Sequence, residues 1–278
     1  MPELPEVETV ANGVHARVAG RRITRVWTSG KSLTFKTPES EIADALTGAA
    51  IESVRRVGKT IVMTLRRKDA KAEFLIHLGM TGRLLVSEAN VPIPPHTHAI
   101  LTLADGREVR FVDPRRFGRL SLHRPSPAAK NPELAGYSGP GQEPLIITLD
   151  DFVALFRNRK TPIKAALLNQ SLLHGVGNIY ADESLFRAGI RPRRQAGRLT
   201  RDELGRLRKA LVDVLRHAIK LGGSSVSDYV DADGVRGFFQ LEHKVYMRGG
   251  EPCLVCETPI KRIVLAGRGT HFCPNCQH

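Results

Sequence analysis

The residues best suited to chemistry stand at the start of the chain, which begins Met1-Pro2-Glu3-Leu4-Pro5. Removal of Met1 would expose the secondary amine of Pro2. An α-amino group has a pKa of about 8, so this amine would be partly neutral and nucleophilic at cellular pH. A plainer interpretation stays open at this point, because proline and acidic residues are ordinary in a first helical turn.

All four cysteines stand near the other end of the chain, as Cys253-Leu-Val-Cys256 and Cys273-Pro-Asn-Cys276, with sixteen residues between the pairs. This spacing lets two turns converge on one tetrahedral zinc ion. Four thiolates leave no open position for a catalytic water, so the metal is predicted to be structural. Two disulfides or four inert thiols are the alternatives. The segment 261–269 between the pairs predicts a strand and a tight turn that presents Arg268.

The charge balance indicates an anionic partner. The chain has 42 Lys and Arg residues against 28 Asp and Glu, a net charge of +14, which suits nucleic acid or an acidic membrane surface. The sequence contains no run of about 18 apolar residues and no secretory signal at its start. A soluble, cytosolic protein is therefore expected.

The elements that must position these residues differ between the two halves of the chain. Residues 20–124 contain short apolar and β-branched runs typical of strands, interrupted by one helix over 39–46. Asp105-Gly106 predicts a hairpin turn. We therefore expect an antiparallel sandwich. Individual strands are predicted at 32–37, 60–65, 74–78, 100–103 and 109–112.

Helical patterns frame this strand region. The spacing of Val7, Val10, Ala11 and Val14 predicts one apolar helix face from near Pro5. Residues 125–145, with five prolines and three glycines, are typical of a linker. After the linker the pattern is helical, most clearly from Thr200. Thr200 with Glu203 forms a capping box, and Gly222 is a stop signal.

The motifs together resemble the formamidopyrimidine-DNA glycosylase family over essentially the whole length of the chain. They occur in order: Pro-Glu-Leu-Pro-Glu-Val-Glu at 2–8, Gly-Lys at 58–59, His-Leu-Gly-Met-Thr-Gly at 77–82, Asp-Pro-Arg-Arg-Phe-Gly at 113–118, Gly-Val-Gly-Asn-Ile-Tyr-Ala-Asp-Glu at 175–183, and the four cysteines. Two small departures are Thr60, where the family often has an aromatic residue, and a slightly expanded stretch at 139–143.

The resemblance implies an α+β multidomain fold. Its parts are an N-terminal antiparallel β-sandwich with an N-terminal helix, a helical domain with a helix-two-turn-helix motif, and a C-terminal four-cysteine zinc-finger hairpin. The predicted boundaries are 1–124 for the catalytic sandwich, 125–147 for the linker, 148–238 for the helix-two-turn-helix domain and 239–278 for the finger. Residues 222–239 resemble the family's loop that closes over a flipped lesion.

The implied activity is base-excision DNA repair by a glycosylase and AP lyase that removes oxidised purines, such as 8-oxoguanine and formamidopyrimidines. By this resemblance Pro2 attacks C1′ of the damaged nucleotide and displaces the base. The resulting iminium, a Schiff base, is the electron sink for β,δ-elimination. Glu3 is similar to the family's proton donor, and Glu6 supports it. Lys59 matches a lysine of the glycosylase and β-elimination steps, and Arg268 matches the finger arginine that grips phosphate and assists δ-elimination.

A base that leaves the stack must be replaced by something that fills the gap. Met80, Arg115 and Phe117 match the family's inserted triad, in which Met80 wedges, Phe117 intercalates and Arg115 hydrogen-bonds the orphaned base. Core packing is the plain alternative for Met80 and Phe117. Five further residues match backbone contacts that position a duplex without reading its sequence: His77, His96, Arg116, Lys160 and Asn178.

The expected cofactor is one structural zinc ion, with no redox or organic cofactor. The expected partner of this bacterial cytosolic monomer is double-stranded DNA with oxidised bases or abasic sites. One alternative is an endonuclease VIII-like glycosylase for oxidised pyrimidines, although that branch typically carries glycine where this chain has Leu4. Another is a non-catalytic damaged-DNA-binding protein, which the presence of Pro2 and Glu3 disfavours. A zinc-ribbon binding module would leave the N-terminal motif unexplained.

Overall fold

The computed structural model describes residues 1–124, 136–225 and 229–278. The helices there are α1 (Leu4–Val18), α2 (Glu39–Leu46), α3 (Leu149–Phe156), α4 (Ile163–Leu167), α5 (Asn178–Ala188) and α6 (Arg201–Lys220). The strands are β1 (Ile23–Thr28), β2 (Ala50–Val57), β3 (Thr60–Arg67), β4 (Ala70–His77), β5 (Arg83–Glu88), β6 (Thr97–Leu103), β7 (Arg107–Val112), β8 (Arg119–His123), β9 (Lys261–Leu265) and β10 (Arg268–Phe272).

The first compact unit comprises residues 1–138 and 222–237. It contains two four-stranded sheets, in the orders β2-β3-β4-β8 and β1-β6-β7-β5, and their pairings are antiparallel. One hydrophobic cluster joins residues of both sheets to α1. The expected α+β fold with an antiparallel strand region is confirmed.

Helix α1 forms because its apolar residues recur on one face, and Val7, Val10, Ala11 and Val14 of that face are buried. The helix begins at Leu4, with Glu3 as the N-cap residue. The predicted helix over 39–46 is confirmed as α2, and the hairpin at Asp105-Gly106 joins β6 to β7.

The predicted strand over 32–37 is wrong. This segment instead forms two local turns, in which the Thr34 N–H donates to the Lys31 carbonyl at 3.0 Å and the Phe35 N–H donates to the Ser32 carbonyl at 3.3 Å. Only an isolated bridge between Phe35 and Leu120 pairs it with a strand. Phe35 is buried in the core, so the apolar residues that suggested a strand anchor a turn.

The second unit comprises residues 139–221 and 238–278. Helix α6 begins with the predicted capping box, in which Thr200 accepts from the Glu203 N–H at 3.2 Å and Glu203 accepts from the Thr200 N–H at 2.8 Å. Helix α6 packs on α3 and α5, and α5 packs on β10. Strands β9 and β10 form the predicted C-terminal hairpin.

Two predicted segments extend beyond the described residues. Residues 125–135 of the predicted linker and 226–228 of the predicted lesion loop lie outside the described residues. The described parts of 222–237 pack with the first unit, although the sequence boundary grouped them with the helical domain. Among the helices that the structure describes, none combines the length and the apolar character of a membrane span.

Candidate functional site

The N-terminal site is built around Glu6. One carboxylate oxygen of Glu6 accepts the Glu3 N–H at 2.8 Å, and the other accepts the Ser224 N–H at 2.7 Å. The Tyr229 hydroxyl donates to the Glu6 carbonyl at 3.3 Å. Burial raises the pKa of Tyr229 and the charge of Glu6 raises it further, so Tyr229 stays a donor. Glu6 therefore connects the start of α1 to the predicted lesion loop.

The predicted nucleophile and proton donor lie side by side at this helix start. Pro2 and Glu3 are buried, whereas 52% of Met1 is exposed. Met1 is thus accessible for removal, and Pro2 and Glu3 are neighbours at the start of α1. Their roles as nucleophile and proton donor stay a prediction.

Lys59 lies in the two-residue turn between β2 and β3, where Val57 pairs with Thr60. Arg56 ties this turn to α1: its Nε donates to Glu8 at 2.5 Å, and its Nη1 donates to the Gly58 carbonyl at 3.2 Å. One guanidinium therefore fixes the turn that carries Lys59 relative to the helix that carries the N-terminal site. Arg56 and Glu8 were not predicted from the sequence, because nothing local marks a pair 48 residues apart.

His77 lies at the end of β4, paired across the strands with Thr60. Its Nδ1 accepts the Gly79 N–H at 3.1 Å, so in the neutral ring Nε2 carries the proton. Burial lowers the pKa of His77, and the positive charges of Lys59 and Arg119 lower it further. A neutral imidazole with an Nε2–H donor is able to bind a phosphate oxygen, and the backbone contact of His77 stays a prediction.

Two loops carry the residues predicted to enter DNA. We call residues 78–82 the Met80 loop and residues 114–118 the Phe117 loop. Met80 is 41% exposed and Phe117 is 47% exposed, which excludes core packing for both. The Arg115 guanidinium carbon lies 4.7 Å from the centre of the Phe117 ring, a cation–π contact.

The glycines of these loops are buried rather than exposed, because the two loops touch there. A Cβ on Gly79 would lie 2.5 Å from the Gly118 nitrogen, and a Cβ on Gly118 would lie 2.6 Å from the Phe111 ring. Neither position has space for a side chain. The loops thus contact each other at Gly79 and Gly118, whereas Met80 and Phe117 are exposed to solvent.

The four cysteines of the second unit form one cluster, with their sulfur atoms within 4.8 Å of one another. Zinc–sulfur bonds of about 2.3 Å in a tetrahedron place the sulfurs about 3.8 Å apart. The separations of 3.9 Å for Cys253–Cys276, 3.5 Å for Cys256–Cys273 and 3.3 Å for Cys256–Cys276 fit that geometry. They exclude disulfides in this structure, since all four thiols are free.

The pKa values of these thiols are shifted in opposite directions. Hydrogen bonds from the side chains of Thr258 and Asn275 lower the pKa of Cys256 to about 6, whereas burial raises the pKa values of Cys273 and Cys276. Zinc binding would deprotonate all four. The residues therefore fit one structural zinc ion, held by Cys253, Cys256, Cys273 and Cys276.

Arg268 is exposed and opens β10, directly after the turn Ala266-Gly267. Both turn residues have positive φ, 49° and 72°, as the tightest hairpin turn requires. The next carbonyl, that of Gly269, accepts from Lys164 Nζ and from Asn178 Nδ2, both at 2.9 Å. Asn178 therefore supports the hairpin. Its predicted phosphate contact stays a prediction.

A buried ion pair lies behind this hairpin. Lys164 Nζ is 2.7 Å from Asp182 Oδ1 and donates to the Thr270 hydroxyl at 2.8 Å, while Asp182 Oδ2 accepts the His271 N–H at 2.9 Å. Both charged side chains are buried. Sequence reasoning missed them, although a charged residue in each of two short helical patterns was a visible signal.

The first unit thus holds Pro2, Glu3, Glu6, Lys59, His77, Met80, His96, Arg115, Arg116 and Phe117, and the second holds Lys160, Asn178, Arg268 and the cysteines. His96 and Arg116 are exposed, with positive φ values of 65° and 54°. Lys160 is also exposed. Such accessible cations and donors are what contacts to a DNA backbone need.

Known proteins match this chain along its whole length. Residues 1–120 match the formamidopyrimidine-DNA glycosylase N-terminal domain, 140–230 its H2TH domain, and 250–278 a zinc finger found in FPG and IleRS. A formamidopyrimidine-DNA glycosylase from Solibacter usitatus is 46% identical, covering 100% of this chain and 99% of the relative.

Solved structures agree with these matches. The MutM (Fpg) protein from Thermus thermophilus is 42% identical, with a TM-score of 0.83 over 99% of this chain and 98% of that one. A Lactococcus lactis Fpg variant in complex with DNA containing Fapy-dG is 32% identical, with a TM-score of 0.88 over 100% of both chains.

Proposed function

We propose that this chain, a member of the formamidopyrimidine-DNA glycosylase family, excises oxidised purines with the amine of Pro2. Its family membership makes it a base-excision DNA repair glycosylase. The observation that carries this proposal is the helix start, where Pro2 and Glu3 lie together and Glu6 holds the Glu3 backbone at 2.8 Å.

In the proposed reaction the Pro2 nitrogen forms a bond to C1′, and the bond from C1′ to the base breaks, with its electrons going to the base. The Pro2 nitrogen then loses its proton, and the C1′–O4′ bond breaks as Glu3 supplies a proton to O4′. The nitrogen lone pair forms the C=N bond of the iminium. The iminium then accepts the electrons released when the C2′ proton leaves. The C3′–O bond breaks first and the C5′–O bond later, so that strand cleavage follows base removal.

The remaining predicted residues act on the DNA around this centre. Lys59, held by Arg56, would assist sugar chemistry and β-elimination, and Arg268 would bind the phosphate and assist δ-elimination. The exposed Met80, Arg115 and Phe117 would fill the space left by the flipped base. His77, His96, Arg116, Lys160 and Asn178 would position the backbone. The zinc ion supplies no reaction step and holds the hairpin that presents Arg268.

The proposed partner is duplex DNA with oxidised bases or abasic sites, bound by a monomer in the bacterial cytosol. Lesion-containing and abasic DNA are the partners of the Lactococcus lactis relatives, and one of those complexes contains an oxidised pyrimidine. Defined duplexes carrying 8-oxoguanine, a formamidopyrimidine or an oxidised pyrimidine would rank the lesions. Faster excision of the pyrimidine would favour the endonuclease VIII-like alternative.

Borohydride trapping tests the nucleophile. Reduction of the iminium should link the protein covalently to 8-oxoguanine DNA. Mass analysis of the trapped peptide should place the adduct on Pro2. Protein that keeps Met1 should form no adduct, and Pro2→Gly, which keeps a primary amine but loses the ring, should trap and cleave more weakly.

Glu3→Gln is the control for the acid. It keeps the shape of the side chain but cannot carry the proton, so lesion binding should persist while base removal slows at least tenfold. Efficient trapping by protein that retains Met1 would contradict the assignment of Pro2 and make Lys59 the first suspect.

A further inference from the structure

The connection between the Met80 loop and the Phe117 loop runs through Asp113, a fully buried carboxylate that ends the β7 region. Its Oδ1 accepts the Thr81 hydroxyl at 2.6 Å, and its Oδ2 accepts the Gly118 N–H at 2.7 Å. Each oxygen of one carboxylate thus serves a different loop. Bonds to an ionised acceptor are among the stronger hydrogen bonds in proteins.

Thr81 adds a second hydrogen bond between the two loops. Its hydroxyl donates to Asp113 and also accepts the Arg115 N–H at 3.4 Å. The residue after Met80 therefore contacts the backbone of a residue in the Phe117 loop. Because Gly79 packs directly against the backbone of Phe117 and Gly118, a shift of either loop must move the other or break these bonds.

The backbone of Asp113 holds two further predicted DNA-contact residues. Its N–H donates to the His96 carbonyl at 3.0 Å, and its carbonyl accepts the Arg116 N–H at 3.2 Å. Both His96 and Arg116 have positive φ, which is unfavourable for residues with a side chain and persists where the surroundings enforce it. The two backbone hydrogen bonds of Asp113 help to hold His96 and Arg116 in this conformation.

We propose that Asp113 and Thr81 are positioning residues that lock the Met80 loop and the Phe117 loop into one rigid unit for insertion into DNA. Neither side chain is exposed, so both act through Met80, Arg115 and Phe117. The inference rests on the proposed function. Two loops locked in advance lose little conformational freedom on insertion, so the base leaves the stack and its space is filled in one step.

The test compares Thr81→Val, which keeps the shape and removes the hydroxyl, with Thr81→Ser, which keeps the hydroxyl. The substrates are duplex DNA with 8-oxoguanine, whose base must be extruded, and the same duplex with an abasic site, which has no base to extrude. We expect the ratio of the excision rate to the abasic-site cleavage rate to fall about tenfold in Thr81→Val and to recover in Thr81→Ser. The loss should lie in kcat more than in KM.

A spectroscopic readout follows the insertion itself. 2-Aminopurine placed opposite the lesion should brighten more slowly with Thr81→Val than with wild-type protein. Combining Thr81→Val with Met80→Ala should add little to the defect of Met80→Ala, because the hydroxyl acts through the loop that Met80 occupies. Thr34→Val, a change at a fully buried threonine outside both loops, is the matched control and should leave the ratio unchanged.

Asp113→Asn is the second variant. It replaces one of the two accepting oxygens by an NH2 group, which cannot accept the Thr81 hydroxyl or the Gly118 N–H, so it should lower the ratio at least as much. Equal slowing on both substrates, or additive defects with Met80→Ala, would mean a general structural role and would overturn the inference. If wild-type protein cleaves both substrates and the variants have the same rate ratio as wild-type protein, the inference is overturned and the proposed function stands. Failure of wild-type protein on both would overturn the proposed function, and the inference with it.

Discussion

At the scale of single residues, the site depends on pairs that set each other's charge or donor state. His77 shows this clearly, because its Nδ1 is occupied by the Gly79 N–H and its pKa is lowered by burial and by the cations Lys59 and Arg119. Both influences keep the ring neutral and leave the Nε2–H available. Lys59, the lysine proposed to act in the reaction, thus also helps to keep neutral the histidine proposed to bind phosphate.

Lys59→Gln should therefore raise the pKa of His77, since it removes one of the charges that disfavour the imidazolium. NMR titration of the His77 ring protons would measure the shift. Arg21→Gln, which removes an exposed cation paired with Asp105, is the control and should leave the titration of His77 in place. An unchanged or lower pKa in Lys59→Gln would contradict the proposed proximity.

At the scale of elements, the finger hairpin depends on buried charge as well as on zinc. Lys164 from α4 and Asp182 from α5 meet at 2.7 Å, and both bond to β10. Charges buried to this degree are costly unless paired and hydrogen-bonded. The two helices therefore set the position of β10, which begins with Arg268.

Lys164→Met should destabilise the zinc-loaded second unit by about 3–5 kcal/mol, because it leaves the Asp182 carboxylate buried without its cation. Thermal unfolding, together with the rate at which a chelator removes zinc, would measure the loss. Lys209→Met breaks an exposed pair with Asp213 on α6 and should cost about 0.5 kcal/mol or less. Similar losses in the two variants would show that the buried pair has no special role.

Local signals account for what the sequence predicted about elements. The capping box at Thr200, the Asp105-Gly106 turn and the helix over 39–46 are confirmed, because each is encoded within a few residues. The prediction for the segment 32–37 was wrong, because a pair of turns with one buried residue, Phe35, can have the same sequence pattern of apolar and β-branched residues as a strand. The chemistry-bearing motifs were visible for the same local reason.

The supporting residues of the site could not be predicted, because their partners are distant in sequence. Thr81 and Asp113 are 32 residues apart, Glu8 and Arg56 are 48 apart, and Glu6 and Ser224 are 218 apart. No periodicity relates such positions. Only the strand order and the helix packing bring them together.

At the scale of the whole molecule, the net charge of +14 dominates the encounter with DNA. Neutralised phosphates release counterions, so affinity falls as the salt concentration rises. Base contacts contribute little to this dependence. The charge is thus expected to attract the protein to any duplex, and the proposed insertion of the Met80 loop and the Phe117 loop would then distinguish damaged from intact sites.

Binding to an undamaged duplex should therefore weaken steeply with salt, with a linear plot of log affinity against log salt. Arg268→Ala should reduce the magnitude of the slope by about 1, because it removes one phosphate contact. Arg201→Ala removes the same charge at a site paired with Asp150 and should change the slope less. Fluorescence anisotropy at several salt concentrations would measure both. A flat response would exclude an electrostatic footprint.

The back-to-back contact of Gly79 and Gly118 has a consequence for how this protein can evolve. A single added methyl group at Gly79 meets backbone atoms of the opposite loop at 2.5 Å, and backbone cannot turn aside as a flexible side chain can. The Gly79 motif therefore cannot drift on its own. In a library selected for survival under oxidative mutagenesis, escape from glycine at position 79 should arise only together with changes in the Phe117 loop. Escape at position 118 should instead arise with a smaller residue in place of Phe111, whose ring would lie 2.6 Å from the added Cβ.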